Sequence, residues 1–448
     1  MPKALSALAL ALALVLPSGA PAATGYVLRK VALSGEAAPG TSDLFAKPSA
    51  VAMNKAGQVA FLAPLSSGPT HTGAWVDTSG ALALRMQSGD PAPGTGGGHY
   101  SALAGFPQLD LAGGVAVLAL VSGGTTPRGI FLDTGGSDTP LLLSGAAAPP
   151  SVGGTLSAGL ADLQPFGLSP TGTLLFRSAV SGGSASSGVF LRYPGGTISA
   201  LALVGGSAPG ASGATFGSFT HPAIDALGRP AFCATLVGGS ATRGLFADTG
   251  SGLTAQVLSG SSAPGTGGGT FSDFQYPAGG SGAVAFLGSV SGSSVTGGVF
   301  LADGGVVAAA VENQVAPGTG GGTFATVNSP TAINLHRSVS FSAGLSGGAS
   351  SGGVFVYDAN TAALAPPALA GDVVPGVSSP LASFGHVAMG GSGAIAFVAD
   401  LADGRSGVFV ATPAQEIPGV PAAWGIGLAL WLAVIARAVL RRSEPGKA

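Results

Sequence analysis

The residues best suited to contact a ligand occur once in each of seven similar segments, directly before a proline or in the equivalent place. These residues are Lys47, Phe106, Gln164, His221, Tyr276, Ser329 and His386. Their polar groups can form hydrogen bonds, and their aromatic rings can stack on a ligand. If the strand that carries them is the innermost strand of its unit, they surround a central channel. We predict ligand binding there by Lys47, Gln164, His221, Tyr276 and His386.

A simpler interpretation of the same residues stays open. His221, Tyr276 and His386 are each preceded two residues earlier by a phenylalanine, on the same side of a strand, so they could be ordinary strand residues packed beside it. Residue type alone does not separate packing from binding, because either role accepts an aromatic side chain.

Acid–base and metal chemistry are not favoured. The chain has 19 carboxylates and five histidines, mostly at repeat turns. Cys233 lies in an apolar run, and we interpret it as a small buried hydrophobe rather than a nucleophile. Short polar residues stand three positions before a turn glycine, or before Arg337 in one copy: Asn54, Asp110, Ser169, Asp225 and Asn334. Five aspartates follow a recurring Gly-x-Phe marker, described below, by two or three residues: Asp77, Asp133, Asp248, Asp303 and Asp358. Such residues favour turns, and no Asp-x-Asp-x-Asp run indicates a calcium loop. We predict no enzymatic activity, no metal and no cofactor.

Three glycine-rich segments could be taken for phosphate-binding loops. Gly-Thr-Gly-Gly-Gly occupies residues 94–98, 265–269 and 318–322. A P-loop needs a lysine after the glycines and then a helix, whereas His99, Thr270 and Thr323 follow here, in a β context. We interpret these segments as flexible connectors.

The composition excludes some partners. Of 448 residues only 8 % are charged, 46 % are hydrophobic, and the net charge is -2. Without a basic stripe to neutralise phosphates, nucleic-acid binding is not expected. The apolar fraction is too high for a disordered chain despite 78 glycines and 32 prolines.

Three markers recur seven times in the same order, at a spacing of 53 to 60 residues. The first is an Ala-Pro-Gly-like phrase with Pro39, Pro93, Pro149, Pro209, Pro264, Pro317 and Pro375. The second is a short apolar run around Phe61, Val117, Phe176, Phe232, Phe286, Phe341 and Phe397. The third is Gly-x-Phe, ending at Trp75, Phe131, Phe190, Phe246, Phe300, Phe355 and Phe409. Each unit contains four short strand-like segments, and no helix is predicted between residues 25 and 412.

This pattern predicts an all-β, seven-bladed β-propeller over residues 26–412, because strands that are apolar on both faces must be covered on both sides. The chain begins with a fourth-type strand, residues 26–33, and finishes with a third-type strand, residues 407–411. We therefore expect the N-terminal strand to close the ring in the last blade. An open solenoid has no need for such complementary ends, and an outer-membrane barrel requires longer strands with one polar face.

Both termini carry targeting features. Residues 1–22 have the cationic start, apolar run and small-residue cleavage site of a secretory signal peptide. After a linker at residues 413–416, residues 417–440 are predicted to form a sorting motif and a transmembrane helix, since 417–436 are uncharged. The tail, residues 441–448, is basic and cytoplasmic by the positive-inside rule, which leaves the repeats outside.

Two resemblances accompany these features. Asn54-Lys55-Ala56-Gly57-Gln58-Val59-Ala60-Phe61 resembles the signature of a bacterial family of exported tandem-repeat proteins of the choice-of-anchor type. The order of parts at the other end is similar to exosortase-type C-terminal sorting signals, through Ile417, Pro418, Pro421, Trp424, Arg437, Arg441 and Arg442. The resemblances imply export and either processing or plain membrane anchoring, and they imply no activity.

The function predicted from the sequence is a non-catalytic binding or interaction scaffold at the cell envelope. Its partners are the membrane, through the C-terminal helix, and an envelope polymer or protein. Two alternatives remain: a structural surface or matrix protein, and a propeller hydrolase or lyase.

Overall fold

The computed structural model describes residues 25–157, 166–280, 282–328 and 332–414. Within these ranges the chain forms β-strands and turns and contains no helix. The strands are β1 (Tyr26–Leu33), β2 (Ala50–Met53), β3 (Val59–Leu65), β4 (Gly68–Thr78), β5 (Ala81–Gln87), β6 (His99–Leu109), β7 (Val115–Ser122), β8 (Arg128–Asp133), β9 (Asp138–Leu143), β10 (Thr155–Leu156), β11 (Gly167–Leu168), β12 (Leu174–Ser181), β13 (Ser187–Arg192), β14 (Ile198–Leu203), β15 (Thr215–Ile224), β16 (Pro230–Val237), β17 (Arg243–Asp248), β18 (Leu253–Leu258), β19 (Thr270–Gly280), β20 (Ala283–Ser291), β21 (Gly297–Ala302), β22 (Val306–Val311), β23 (Thr323–Val327), β24 (Ala332–Ile333), β25 (Ser338–Ser346), β26 (Gly352–Asp358), β27 (Ala363–Leu369), β28 (Leu381–Met389), β29 (Ile395–Leu401) and β30 (Ser406–Pro413).

These strands form seven antiparallel sheets, which are the blades of a propeller. Blades 1, 2, 4 and 5 each use four consecutive strands: β2–β5, β6–β9, β15–β18 and β19–β22. In blades 3 and 6 the first strand is recorded in two short pieces, β10 with β11 and β23 with β24, that pair with the same second strand. The predicted seven-bladed architecture is confirmed.

Blade 7 closes the ring with both ends of the propeller, as predicted. Its strand order is β28-β29-β30-β1, and Tyr26 of β1 pairs with Pro413 of β30. Strand β30 therefore extends one residue beyond the predicted boundary, into the segment assigned to a linker. The strand continues because the β1 edge offers backbone partners as far as Tyr26.

The core consists of seven apolar clusters, one between each pair of neighbouring blades. One cluster joins blades 1 and 2, for example, through Leu62 and Val117, and another joins blades 7 and 1 through Val398 and Phe61. Each sheet thus buries both faces, which is why its central strands are apolar at successive positions.

The second and third sequence markers are direct cross-strand partners within each blade. Phe232 pairs with Phe246, for instance, and their ring centroids lie 5.7 Å apart at an interplanar angle of 18°. The glycine of the Gly-x-Phe marker leaves room for this packing. At Gly298 an added Cβ would lie 2.7 Å from the carbonyl oxygen of Ala310 and 3.2 Å from the Phe300 ring. The marker therefore follows from close packing in the blade core.

The short polar residues that stand three positions before the turn glycine or Arg337 cap hairpin turns between the first and second strands, as predicted. Asp225 Oδ1 accepts hydrogen bonds from the amides of Leu227 and Arg229, both at 2.8 Å. Asn334 does the same for His336 and Ser338, both at 2.9 Å. The turn residue three positions later has a left-handed backbone, which glycine adopts without strain and Arg337 adopts at φ 61°. Turn formation explains the Asn-x-x-Gly pattern.

The Gly-Thr-Gly-Gly-Gly segments are built into the fold, and the prediction of flexible connectors is wrong. Thr95, Thr266 and Thr319 are buried, and each hydroxyl donates to the carbonyl oxygen three residues earlier at 2.6–2.7 Å. The last glycine of each segment packs against the second strand or the turn that follows it, and at that turn a Cβ on Gly124 would lie 2.4 Å from the carbonyl oxygen of Thr95. Backbone contact at this distance requires glycine.

The predicted targeting segments lie outside the described residues. These are the signal peptide at 1–22, the linker residues 415–416, and the sorting motif, transmembrane helix and basic tail that follow. Within the described ranges, no helix has the length and hydropathy needed to cross a bilayer.

Candidate functional site

A cavity of about 320 Å³ lies on the central axis, where the first strands of all seven blades converge. The first strand is therefore the innermost strand, as the sequence analysis supposed. Its lining residues come from within 51–55, 106–111, 166–170, 221–226, 276–280, 332–335 and 386–391. The lining extends from the middle of these strands to the turns that follow them. We call the propeller face that carries these turns the mouth face.

Irregular backbone in the first strands directs several of the predicted residues toward the axis. The strand register shifts between Ala104 and Gln108 in blade 2, between Thr220 and Ala223 in blade 4, and likewise around Tyr276 and His386. A proline follows Phe106, His221 and Tyr276 and cannot donate to the ladder, which suits a bulge, whereas in blade 7 the strand bulges with Val387 after His386.

Two of these bulges hold a bulky residue in the left-handed region. His221 has φ 50° and Tyr276 has φ 47°, whereas in blade 2 Gly105, with φ 80°, takes the left-handed conformation beside Phe106. A side chain other than glycine costs about 1–3 kcal/mol in this region, and such strain is concentrated at functional sites. Blades 4 and 5 therefore keep His221 and Tyr276 at the axis against a backbone preference.

Four ring side chains at the axis, those of Phe106, His221, Tyr276 and His386, form two contacting pairs. Phe106 and His386 stack with centroids 4.7 Å apart, and His221 lies 4.3 Å from Tyr276. The first pair bridges blades 7 and 2 and the second bridges blades 4 and 5, so the pairs occupy different sectors of the ring. Residues deeper in the same strands, such as Phe219 and Phe274, do not line the cavity. We call Phe106, His221, Tyr276 and His386 the floor.

Both floor histidines are held in the neutral form. Burial lowers the pKa of His386 to about 4, against a weaker opposing effect from its hydrogen bond with the backbone of Val51. Burial also lowers the pKa of His221, with Arg177 adding to this and Asp273 opposing it. The Nδ1 atoms of both rings are buried and have no hydrogen-bond partner among the described residues.

Of the remaining predicted ring residues, the structure describes Lys47. Lys47 does not line the cavity, and its ammonium group instead contacts the Asp400 carboxylate at 2.9 Å. The sequence analysis selected Lys47 because it directly precedes a proline, and this choice gives the wrong position along the strand. Lys47 is seven positions before its turn residue, Asn54, whereas His221 is four positions before Asp225. Gln164 and Ser329 lie outside the described residues.

The cavity wall contains a repeated feature that the sequence analysis missed. Six blades place an aliphatic side chain in the lining, directly before the turn position: Met53, Leu109, Leu168, Ile224, Ile333 and Met389. We call these six residues the collar. The signal was available as an apolar residue preceding each Asn, Asp or Ser of the turn pattern, but that pattern does not reveal which strand face points to the axis.

Cys233 and the aspartates after the third marker do not contribute to this site. Cys233 is buried in its blade, and burial raises the pKa of its thiol, which agrees with the predicted hydrophobic role. Asp77 and Asp133 accept hydrogen bonds from turn amides and also bind Arg29 and Arg85 of the preceding blade. Within the described ranges, no three His, Cys, Asp or Glu side chains are placed to hold a metal ion.

Several solved structures resemble the chain at low sequence identity. An acylaminoacyl peptidase of Pyrococcus horikoshii is 8 % identical with a TM-score of 0.46, over 84 % of this chain and 53 % of its own. A puromycin-hydrolyzing peptidase of Mycobacterium tuberculosis is 12 % identical with a TM-score of 0.44, over 84 % and 53 %. A chain of the mitotic checkpoint complex is 10 % identical with a TM-score of 0.42, over 93 % and 97 %. This chain thus spans about half the length of either peptidase.

The comparison with curated proteins found no match. A family model matches residues 23–297 and 244–402, which together cover the propeller from before β1 to the end of β29. The chain therefore belongs to DUF7453, a family of unknown function.

Proposed function

We propose that this protein is an exported β-propeller of the cell envelope that binds a ligand in its central cavity without transforming it chemically. One observation carries the proposal. In a fold whose core positions repeat in all seven blades, the floor positions differ from blade to blade and place four ring side chains at the axis. Repeated packing alone does not require this diversity, whereas recognition of one particular ligand does.

The environment of the two imidazoles supports binding over catalysis. A histidine that acts as a general base has its second ring nitrogen bonded to an orienting group, usually a carboxylate. The Nδ1 atoms of His221 and His386 have no such partner among the described residues. A depressed pKa keeps both rings neutral at pH 7, so they can serve as hydrogen-bonding and stacking surfaces.

The cellular location of the protein is part of the same proposal. The signal peptide at 1–22 would export the chain, and the helix within 417–440 would hold it at the membrane, either permanently or until processing. The described chain leaves the propeller at Ala414, beside Gly25, and Pro413 lies next to the Gly393 turn on the mouth face. An anchor that follows would turn the mouth of the cavity toward the membrane.

Retention of ligands on an array of envelope glycans, lipids and small molecules tests the binding function. We expect the wild-type protein to retain at least one class and the His221→Ala/His386→Ala double variant to lose it. Lys47→Ala is the matched control, because Lys47 lies outside the cavity. Equal retention by the double variant, with its circular dichroism unchanged, would refute a role of the floor in binding.

Mass spectrometry of the mature protein from fractionated cells tests the proposed location and processing. The expected N-terminus is residue 23, and the C-terminus shows whether the segment after residue 416 is retained or removed. Recovery of the intact chain from the cytoplasm would contradict export.

A further inference from the structure

We propose that the cavity binds an apolar or amphiphilic ligand, with its hydrocarbon part enclosed by the collar and its polar end at the mouth. This inference rests on the proposed function and specifies the ligand class for the same site. It excludes a free sugar or another fully hydroxylated molecule as the main ligand.

The collar is the first reason. Six aliphatic residues from six different blades contribute to the wall between the floor and the mouth, and four of them, Leu109, Leu168, Ile333 and Met389, also pack in the clusters between blades. Binding sites for small molecules are lined mainly by apolar side chains with a few polar groups that fix orientation, and they begin at about 300 Å³. A volume of about 320 Å³ is enough for a short alkyl chain or a small ring system.

The turn side chains that line the cavity already use some of their polar atoms within the protein, which is the second reason. Asp225 uses Oδ1 to accept two backbone hydrogen bonds, and Asn334 does the same. Asn54 caps its own turn and donates to the carbonyl oxygen of Asp110 at 2.9 Å. A hydroxyl-rich ligand therefore cannot use these cap atoms without opening a turn, and the desolvation of hydroxyl groups that face the collar would not be offset.

The mouth supplies the third reason. Leu111 and Leu335 line the cavity at the mouth, and their exposed fractions are 52 % and 45 %. The part of the hydrocarbon next to the polar end would cover these side chains and remove apolar surface from water. Lys55 also lies at the mouth, where it can contact a polar or anionic end group.

The blades provide a matched control for these leucines. Leu227 belongs to the corresponding turn of blade 4 and is 59 % exposed, yet it does not line the cavity. Replacement of leucine by asparagine changes the same chemistry at each position, so only a cavity ligand distinguishes the Leu111→Asn/Leu335→Asn double variant from Leu227→Asn.

A photoreactive alkyl probe tests the inference on the full-length protein. The purified chain is irradiated with a ten-carbon alcohol that carries a diazirine, and labelled residues are mapped by mass spectrometry. We expect labels on collar and mouth peptides, displaced by decanoate and not by maltose. The double variant should lose about fivefold of this labelling, a typical effect of removing two partly buried leucine contacts, whereas Leu227→Asn keeps it.

The possible outcomes separate this inference from the proposed function. Labelling confined to residues 417–440, or unaffected by the double variant while circular dichroism shows a native fold, overturns the alkyl site. If the array instead yields a sugar whose retention depends on His221 and His386, the proposed function stands and this inference fails. If neither probe nor array detects ligand binding in the cavity, both fail.

Discussion

The glycine of each Gly-x-Phe marker has little room for a side chain, so its replacement should lower the stability of the blade. Gly298→Ala tests this directly. An added Cβ would lie 2.7 Å from the Ala310 carbonyl oxygen, 2.8 Å from Val311 Cγ1 and 3.2 Å from the Phe300 ring. The oxygen belongs to the backbone of β22, so relief requires movement of a whole strand. Overpacking of this kind costs about 1–3 kcal/mol, and the usual gain of about 0.5–1 kcal/mol for replacing a strand glycine offsets only part of it.

The expected net loss is therefore at most about 2.5 kcal/mol, which can be converted into a change in melting temperature. At about 2 cal/mol/K per residue, unfolding of the propeller has an entropy of about 0.8 kcal/mol/K. The variant should therefore melt below the wild type, by up to roughly 3 °C, in differential scanning calorimetry. The same carbonyl contact of 2.7 Å occurs at Gly129, Gly188 and Gly407, so equivalent changes in blades 2, 3 and 7 should behave alike.

The neighbouring glycine is the control. A Cβ on Gly297 meets nothing closer than 3.5 Å, and this residue lies in the same strand, β21. Gly297→Ala should leave the melting temperature unchanged or raise it slightly. Equal melting temperatures for the two variants would refute the steric explanation of the Gly-x-Phe marker.

Three further predictions concern titration and closure. Burial raises the pKa of Asp138 to about 6, and its carboxylate accepts a hydrogen bond from Tyr100. Because this pKa is higher than that of the unfolded chain, the group stabilises the fold below about pH 4, and this stabilisation is lost as the pH rises to 6. Asp138→Asn should flatten that decline in melting temperature, and an unchanged pH profile would contradict it. Because the pKa of His386 is about 4, its neutral form stabilises the fold above about pH 6.5 and this stability is lost on acidification toward pH 4. His386→Phe should reduce the acid loss measured by the same method. Deletion of residues 25–33 removes the partner of β30 and should abolish cooperative unfolding and cause aggregation through the exposed edge, as size-exclusion chromatography would show; a monomer with native stability would argue against ring closure.

Repetition made much of the fold predictable. The three markers define the units, and two of them, such as Phe232 and Phe246, prove to be cross-strand partners. The complementary strand types at the two ends indicated that β1 completes blade 7. These features were readable because strand pairing and sheet burial impose the same residue types in every blade.

The candidate site was predicted only in part. The innermost position of the first strand was a condition of the prediction, and the structure meets it; Phe106, His221, Tyr276 and His386 lie at the axis in two separate ring pairs. Lys47 was misassigned because the number of residues between the proline and the turn is larger in blade 1 than in blade 4. The position of a residue along the channel depends on its distance from the turn and not on its distance from the proline. The Gly-Thr-Gly-Gly-Gly segments were also misjudged, since glycine permits both mobility and close backbone contact.

The sequence by itself thus determined the repeat, the strand types, the turn chemistry and the closure of the ring, because each depends on local pattern or on pairing between adjacent strands. Only the tertiary structure decided which faces of seven first strands meet at the axis. The collar and the floor come from residues about 55 positions apart in successive blades, and their convergence depends on bulges and left-handed backbone at His221 and Tyr276. Such irregularities arise from the packing of whole blades, and no short segment of sequence contains that information.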